Sequence, residues 1–276
     1  MKSSRFFREL TPEALARRIP GLTVGRGLPT AAPAARAAEE LRALGWSAAT
    51  FPMPFVAPLR DAVEILHSEG LPLVALYAFD ATWALGVAIA QAIGDALGAH
   101  YDLVSDFWAF RIQPGHDGWP PHRGASNLLD RERPELLNVW VALSDAAVNQ
   151  ACMHFVPLDE DGAYRRGDLA DVAPPVSVAS PVAAGTALFW NANVLHWGGA
   201  CAMTASGPRV SATFTMERSD IVTGTPRFCP ARLTPQQRID AITDQVTVYA
   251  PLEEEAIHEW ATVHRHMRDG LPGTRR

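Results

Sequence analysis

Hydrophobic positions change their rhythm twice along the chain. Up to residue 100 they recur at helical spacing. Pro33 to Leu44 is alanine-rich, Leu59 to Ser68 is amphipathic, and Ala81 to Leu97 is long and apolar, with Asp80 and Thr82 as its cap region. From 102 to 218 the apolar runs become short and either alternate or are wholly apolar: 106–113, 136–144, 150–156, 186–190, 192–196 and 208–217. Gly, Pro, Asn and Asp separate them, a pattern that predicts an antiparallel barrel or sandwich. Residues 157–185 read as a long polar, Pro-rich connection, the kind of loop that serves as a lid or binding segment. Helical spacing returns at 233–268. Thr234 to Val246 carries capping-box spacing from Thr234 to Gln237, Glu253 to Met267 is a second helix, and the final GLPGTRR is expected to fray. The chain shows no internal repeat. The organisation predicted is a single domain, with a helical part at 1–100, a mainly β core at 102–218 and C-terminal helices at 233–268.

Composition narrows the function classes. The chain has 276 residues, 48% hydrophobic, enough to bury one large core. Its 24 basic and 30 acidic residues give a net charge of −6, so the footprint of a long nucleic acid is missing. A small anion held by a few local arginines remains compatible. Cys152, Cys201 and Cys229 form no CxxC pair, which argues against a disulfide framework or structural zinc and fits a reducing cytoplasm. The start, MKSSRFFREL, is too polar for a signal peptide. The apolar stretch 71–98 holds Asp80 and Asp95 and is broken at Gly86 and Gly94, so it reads as a buried helix and no membrane partner is expected.

Three segments carry the candidate chemistry: GWPPHRG at 118–124, NVLHWGG at 193–199 and PRVSATF at 208–214. Iron oxygenases commonly hold Fe(II) with two imidazoles and one carboxylate on one face, leaving positions open for cosubstrate and O2. His122 and His196 are the two candidate metal ligands. Arg209 follows thirteen residues after His196, and an arginine fork suits a carboxylate. On a strand at 208–217, Arg209, Ser211, Thr213 and Thr215 share one face, while Val210, Ala212, Phe214 and Met216 share the other.

The segment 102–218 resembles the phytanoyl-CoA dioxygenase-like branch of the Fe(II)/2-oxoglutarate-dependent enzymes. The matching pieces are FWAFRIQPG, GWPPHRG, LLNVWVALSDA, NQACMHFVPLDED, GTALFWNANVLHWGG and PRVSATF. The resemblance implies a double-stranded β-helix, a cupin-like jelly roll with helices packed outside. It implies His122 and His196 as iron ligands, Arg209 and Ser211 as cosubstrate contacts, and Trp140 beside the 2-oxoglutarate.

One position departs from that pattern. The family has an acid two residues after the first histidine, and this chain has Gly124. The same replacement marks 2-oxoglutarate-dependent halogenases. Deleting the carboxylate opens a coordination position and removes a negative charge, and a chloride ion restores both. Gly124 is thus the expected chloride seat. Two alternatives stand beside this reading: a turn glycine with positive φ, or a remote acid such as Asp117 or Asp130 acting as third ligand in a hydroxylase.

For the substrate, Arg111 shares a strand face with Phe107, Ala109 and Gln113 and is a candidate anion contact if that face turns inward. Arg123 beside the motif and His116 at its rim are further candidates, and Arg131, Arg133, Arg165 and Arg166 flank the loops. Trp108, Trp119, Trp140, Trp190 and Trp197 concentrate near the motif strands, a setting for a flat base. The chain is similar to nucleotide halogenases of purine nucleoside antibiotic pathways. That similarity implies a free small-molecule substrate such as dAMP, with an amino acid as the other candidate.

Overall fold

The computed structural model describes residues 12–19, 32–33, 36–51, 53–124, 134–164, 177–221, 224, 226–229 and 233–249. The expected helix at 253–267, Asp130 and the four loop arginines lie outside them.

The helical part comprises α1 (Pro12–Arg18), α2 (Ala37–Leu44), α3 (Met53–Ser68), a 3-10 turn at Leu73–Ala78 and α4 (Asp80–Leu97). α3 starts ahead of the expected Leu59 and holds Pro58 within it. At α4 the cap differs from expectation. Phe79 is the N-cap without a side-chain bond, and the Thr82 hydroxyl donates to the Leu76 carbonyl at 2.6 Å. Asp80 pairs with Arg238 at 2.5 Å instead. Arg238 lies on α5 (Pro235–Val248), which has the predicted capping box between Thr234 and Gln237.

The strands are β1 (Ala32–Pro33), β2 (Trp46–Thr50), β3 (Tyr101–Ile112), β4 (Leu136–Ala142), β5 (Met153–Phe155), β6 (Val178–Ser180), β7 (Thr186–Asn191), β8 (His196–Gly198), β9 (Arg209–Arg218) and β10 (Arg227–Phe228). Seven form one sheet in the order β1-β2-β7-β4-β9-β3-β10, and three form a second, β6-β5-β8. Two facing antiparallel sheets with helices on the outer face make a jelly roll, the fold class expected.

Period-two alternation sorts the side chains of the large sheet. Leu137, Val139, Val141, Phe107, Ala109, Val210, Ala212, Phe214 and Met216 pack into the core shared with the helices. Trp140, Ala142, Leu188 and Trp190 pack with Met153 and Phe155 of the small sheet. The space between the sheets is therefore lined by the alternate residues, and that is where polar groups collect.

Three expectations need correction. The run 192–196 is a turn rather than a strand: Val194 N–H donates to the Asn191 carbonyl at 2.8 Å, and pairing begins at His196. Its apolar residues are buried, which imitates a strand in the sequence. Residues 157–185 are not one open polar loop. Leu158, Asp161, Ala163 and Tyr164 are buried, and β6 forms its far end. β2, an alanine-rich WSAAT, gives no alternating signal, yet it pairs with β7 over five residues.

Candidate metal centre

His122 and His196 come from segments 74 residues apart (122 to 196) and meet across the sheet interface. Their backbones are paired in both directions: His122 N–H donates to the His196 carbonyl at 3.0 Å, and His196 N–H to the His122 carbonyl at 3.1 Å. This bridge sets the two imidazoles side by side, with ring centroids 4.1 Å apart. Each ring is fixed the same way. Nδ1 of His122 lies 2.9 Å from the Pro120 carbonyl and Nδ1 of His196 lies 2.9 Å from the Val194 carbonyl. A carbonyl only accepts, so Nδ1 carries the proton in both rings and Nε2 keeps its lone pair. Such a backbone partner on the far nitrogen is how metal-binding histidines are commonly oriented.

Burial favours the neutral form of both rings. It pushes the His122 pKa below its ordinary value, and the pKa of fully buried His196 well below, helped by the neighbouring His122. Trp190 packs against His196 at 4.6 Å, and Trp119 meets His122 edge-on at 6.2 Å. The close approach of the motif to β8 depends on Gly118, where a Cβ would run into the Gly198 carbonyl.

Among the described residues, no group of three His, Cys, Asp or Glu side chains is placed to hold a metal. Asp117 is exposed at the surface. Gly124 is not in the left-handed region, so backbone conformation does not require glycine there. Space does. A Cβ on Gly124 would lie 2.5 Å from Nδ2 of Asn138 and 3.2 Å from the Ala192 carbonyl.

Arg209, Ser211 and Trp140 are brought together. The Arg209 guanidinium is buried, donates to the Ser211 hydroxyl at 2.6 Å and to the Ala151 carbonyl at 3.1 Å, and lies 5.2 Å from the Trp140 ring centre. Burial pulls its pKa down to about 10. No carboxylate of the described residues forms an ion pair with it. A buried guanidinium without an anion is costly, and a ligand carboxylate would compensate it. Nε1 of Trp140 and of Trp190 are also buried without an acceptor. Both rings line the cavity that reaches His122, His196 and Arg209. These are residues that fit a metal and a dicarboxylate cosubstrate.

The substrate candidates fare differently. Arg111 lies on the strand face turned toward the helices, because Phe107 and Ala109 on that face belong to the helix-side core. It pairs with Glu64 at 3.0 Å and does not line the cavity. Arg123 is clamped by Asp161 through two hydrogen bonds of 2.7 and 2.9 Å and also donates to the Asn193 carbonyl. It fastens the first histidine's segment to the turn before the second and does not face the cavity. His116 is exposed on the loop and also off the cavity wall. His154 stacks on Trp197 at 5.3 Å, away from the metal candidates' cavity. Trp108, Trp119, Trp140 and Trp190 do line it.

Three polar cavity residues, Asn138, Asp106 and Tyr249, were not anticipated. Asn138 lies two residues before Trp140 on the same face, a position that period-two counting identifies once Trp140 is chosen. Asp106 lies where the β3–β9 register shifts between Leu103 and Phe107. Its two oxygens accept from the hydroxyls of Thr215 at 2.8 Å and Tyr249 at 2.6 Å, and Tyr249 packs against Trp108 at 4.9 Å. Among the described lining residues Asp106 is the one acid and Arg209 the one guanidinium.

Residues 78–209 match the phytanoyl-CoA dioxygenase (PhyH) family model. That family consists of iron- and 2-oxoglutarate-dependent enzymes, and the match ends on Arg209 after taking in both histidines. Solved structures share the fold. AviO1 from Streptomyces viridochromogenes is 18% identical with a TM-score of 0.55, covering 70% of this chain and 96% of its own. The non-heme epimerase SnoN of nogalamycin biosynthesis, in complex with Fe3+, alpha ketoglutarate and nogalamycin RO, is 20% identical with a TM-score of 0.53, covering 73% and 96%. HygX from Streptomyces hygroscopicus, with nickel and 2-oxoglutarate bound, is 18% identical with a TM-score of 0.52, covering 68% and 88%. A comparison with curated protein sequences gives no significant match. The chain is thus similar to this family over residues 78–209 and shares the fold of these solved structures. No helix among the described residues is long and apolar enough to cross a membrane.

Proposed function

We propose that the protein is an Fe(II)- and 2-oxoglutarate-dependent halogenase acting on a free small molecule. The observation that carries this reading is the pairing of two Nε2-presenting imidazoles with Gly124, where the family has an acid, and with no third acid at hand among the described residues. His122 and His196 would hold the iron. Arg209, with Ser211 and Trp140, would hold the distal carboxylate of 2-oxoglutarate. Iron with 2-oxoglutarate, O2 and chloride would supply the oxidising power that replaces an unactivated C–H by C–Cl. The protein's own contribution is positioning. The Pro120 and Val194 carbonyls orient the imidazoles, and the Arg123–Asp161 clamp holds the segment that follows His122. The tryptophan walls would keep water from the reacting carbon.

The substrate we favour is a purine deoxynucleotide such as dAMP. Its flat base suits the Trp108–Tyr249 pair, and its exocyclic amine suits Asp106. The described cavity has no second guanidinium for its phosphate, since Arg111 and Arg123 are engaged elsewhere. That charge balance favours an amino acid as the second reading, with its ammonium on Asp106. The test is aerobic incubation with Fe(II), 2-oxoglutarate and chloride against dAMP, adenosine and the amino acids, read by mass spectrometry. A product with the chlorine isotope pair is expected. Hydroxylation indifferent to chloride would replace this reading with a hydroxylase, and absence of 2-oxoglutarate turnover with every substrate would remove it.

A further inference from the structure

We propose that Asn138 is the residue that keeps the third ligand position free of a protein carboxylate and gives an anion there a hydrogen-bond donor. The inference rests on the two-histidine metal site and concerns the anion next to it. Asn138 lies on β4, which is paired on both sides, with Trp190 of β7 and Thr215 of β9 as its cross-strand neighbours. All three line the cavity shared with His122 and His196. A strand held by ladders on both edges moves little, and the flanking side chains stand close on the same face. The Asn138 amide therefore has a fixed root.

That amide occupies the path of any side chain at 124. The Cβ of a substituted residue would come within 2.5 Å of Nδ2 and 3.3 Å of Cγ. The Ala192 carbonyl closes another direction, because Gly124 N–H donates to it at 2.7 Å. An aspartate at 124 thus needs the amide to move before its carboxylate can reach the histidines. A side chain there has to displace the amide, and the Ala192 carbonyl, which is backbone, leaves it little further room.

The amide itself makes no hydrogen bond to a described residue, although it is half-buried. An amide N–H with no acceptor among the described residues, on the wall of a cavity whose described acid, Asp106, forms no metal-binding group with the imidazoles, is suited to an anion. Chloride accepts such a bond and takes the charge that the missing carboxylate would have carried. Asn138 acts through that anion and is a positioning residue.

The test uses Co(II) as a spectroscopic metal, with 2-oxoglutarate, on the full-length wild type, Gly124→Asp, Asn138→Ala and the double variant Gly124→Asp/Asn138→Ala. Thermal melting verifies that each is folded. Wild type is expected to bind Co(II) with a visible spectrum that chloride shifts saturably. Gly124→Asp alone should gain less than about threefold in Co(II) affinity. The double variant should gain about tenfold or more and lose the chloride response. Asn138→Ala should retain Co(II) affinity while its chloride affinity falls about tenfold, the size of one bond to a charged group. Asn138→Ser, which keeps a donor, should recover part of that loss. The proposal is overturned if Gly124→Asp gains as much as the double variant, or if chloride affinity is the same in Asn138→Ala and wild type. Failure of the wild type to bind Co(II) at all would remove the metal site itself, a result separate from either.

Discussion

The Nε2 atoms of His122 and His196 are presented together because the two residues exchange backbone hydrogen bonds, at 3.0 and 3.1 Å, across an isolated antiparallel bridge. The candidate metal site is thus built from main chain as well as side chain. His122→Ala and His196→Ala should each reduce Fe(II) or Co(II) affinity by more than the roughly 10–100-fold that losing an outer partner costs. Titration calorimetry on the folded variants measures this, and near-wild-type affinity in either variant would contradict the ligand assignment.

Arg209 is buried without a protein carboxylate, so its charge is compensated only when an anionic ligand is bound. Arg209→Ala should weaken 2-oxoglutarate binding by at least about 2 kcal/mol, roughly 30-fold, since truncating one partner of a buried charge pair costs about 2–5 kcal/mol. Metal affinity should change far less. Equal losses for both ligands would point to a collapsed site instead.

Arg123 makes the opposite case. Its side chain is 3% exposed and that of Asp161 1%, and they bridge the first histidine's segment to the turn at 161–164. Breaking a buried pair by removing one partner costs about 3–5 kcal/mol. Arg123→Ala should lower unfolding stability on that order, seen as a lower denaturant midpoint. A variant of unchanged stability with weakened substrate binding would restore Arg123 as a substrate contact.

His196 sets an acid limit on the metal-free protein. Its folded-state pKa lies well below the ordinary 6.5, with burial as the main cause and His122 as the second. Between those two values the unfolded chain binds a proton that the folded one refuses, so stability is full above about pH 6.5 and falls as pH drops below it. Each unit of difference is worth about 1.36 kcal/mol. Melting temperature measured from pH 8 to pH 5 should fall more steeply in wild type than in His196→Gln, provided both fold. Parallel curves would contradict the burial argument.

The β alternation on 208–217 was legible because its two faces differ sharply: Arg209, Ser211 and Thr213 against Val210, Ala212 and Phe214. The capping box at Thr234 was legible for the same reason, a local rule satisfied locally. Long-range partners were not. Arg111 and Arg123 look alike in sequence as free cations, and only the fold supplies Glu64 and Asp161. Asn138 carries no signal of its own in LLNVWVA, since its meaning depends on Gly124, fourteen residues earlier and on a different segment. Asp106 gains its place from a register shift in β3 that no periodicity announces.

In the proposed function an exogenous halide takes the place beside His122 and His196 where the family that the chain resembles has an acid. The most direct test of this is the absorption spectrum of the anaerobic Fe(II)–2-oxoglutarate complex titrated with chloride. A visible charge-transfer band that shifts saturably with chloride, and not with an equal concentration of a non-coordinating salt, is the predicted result. A band that forms but does not respond to chloride would contradict it.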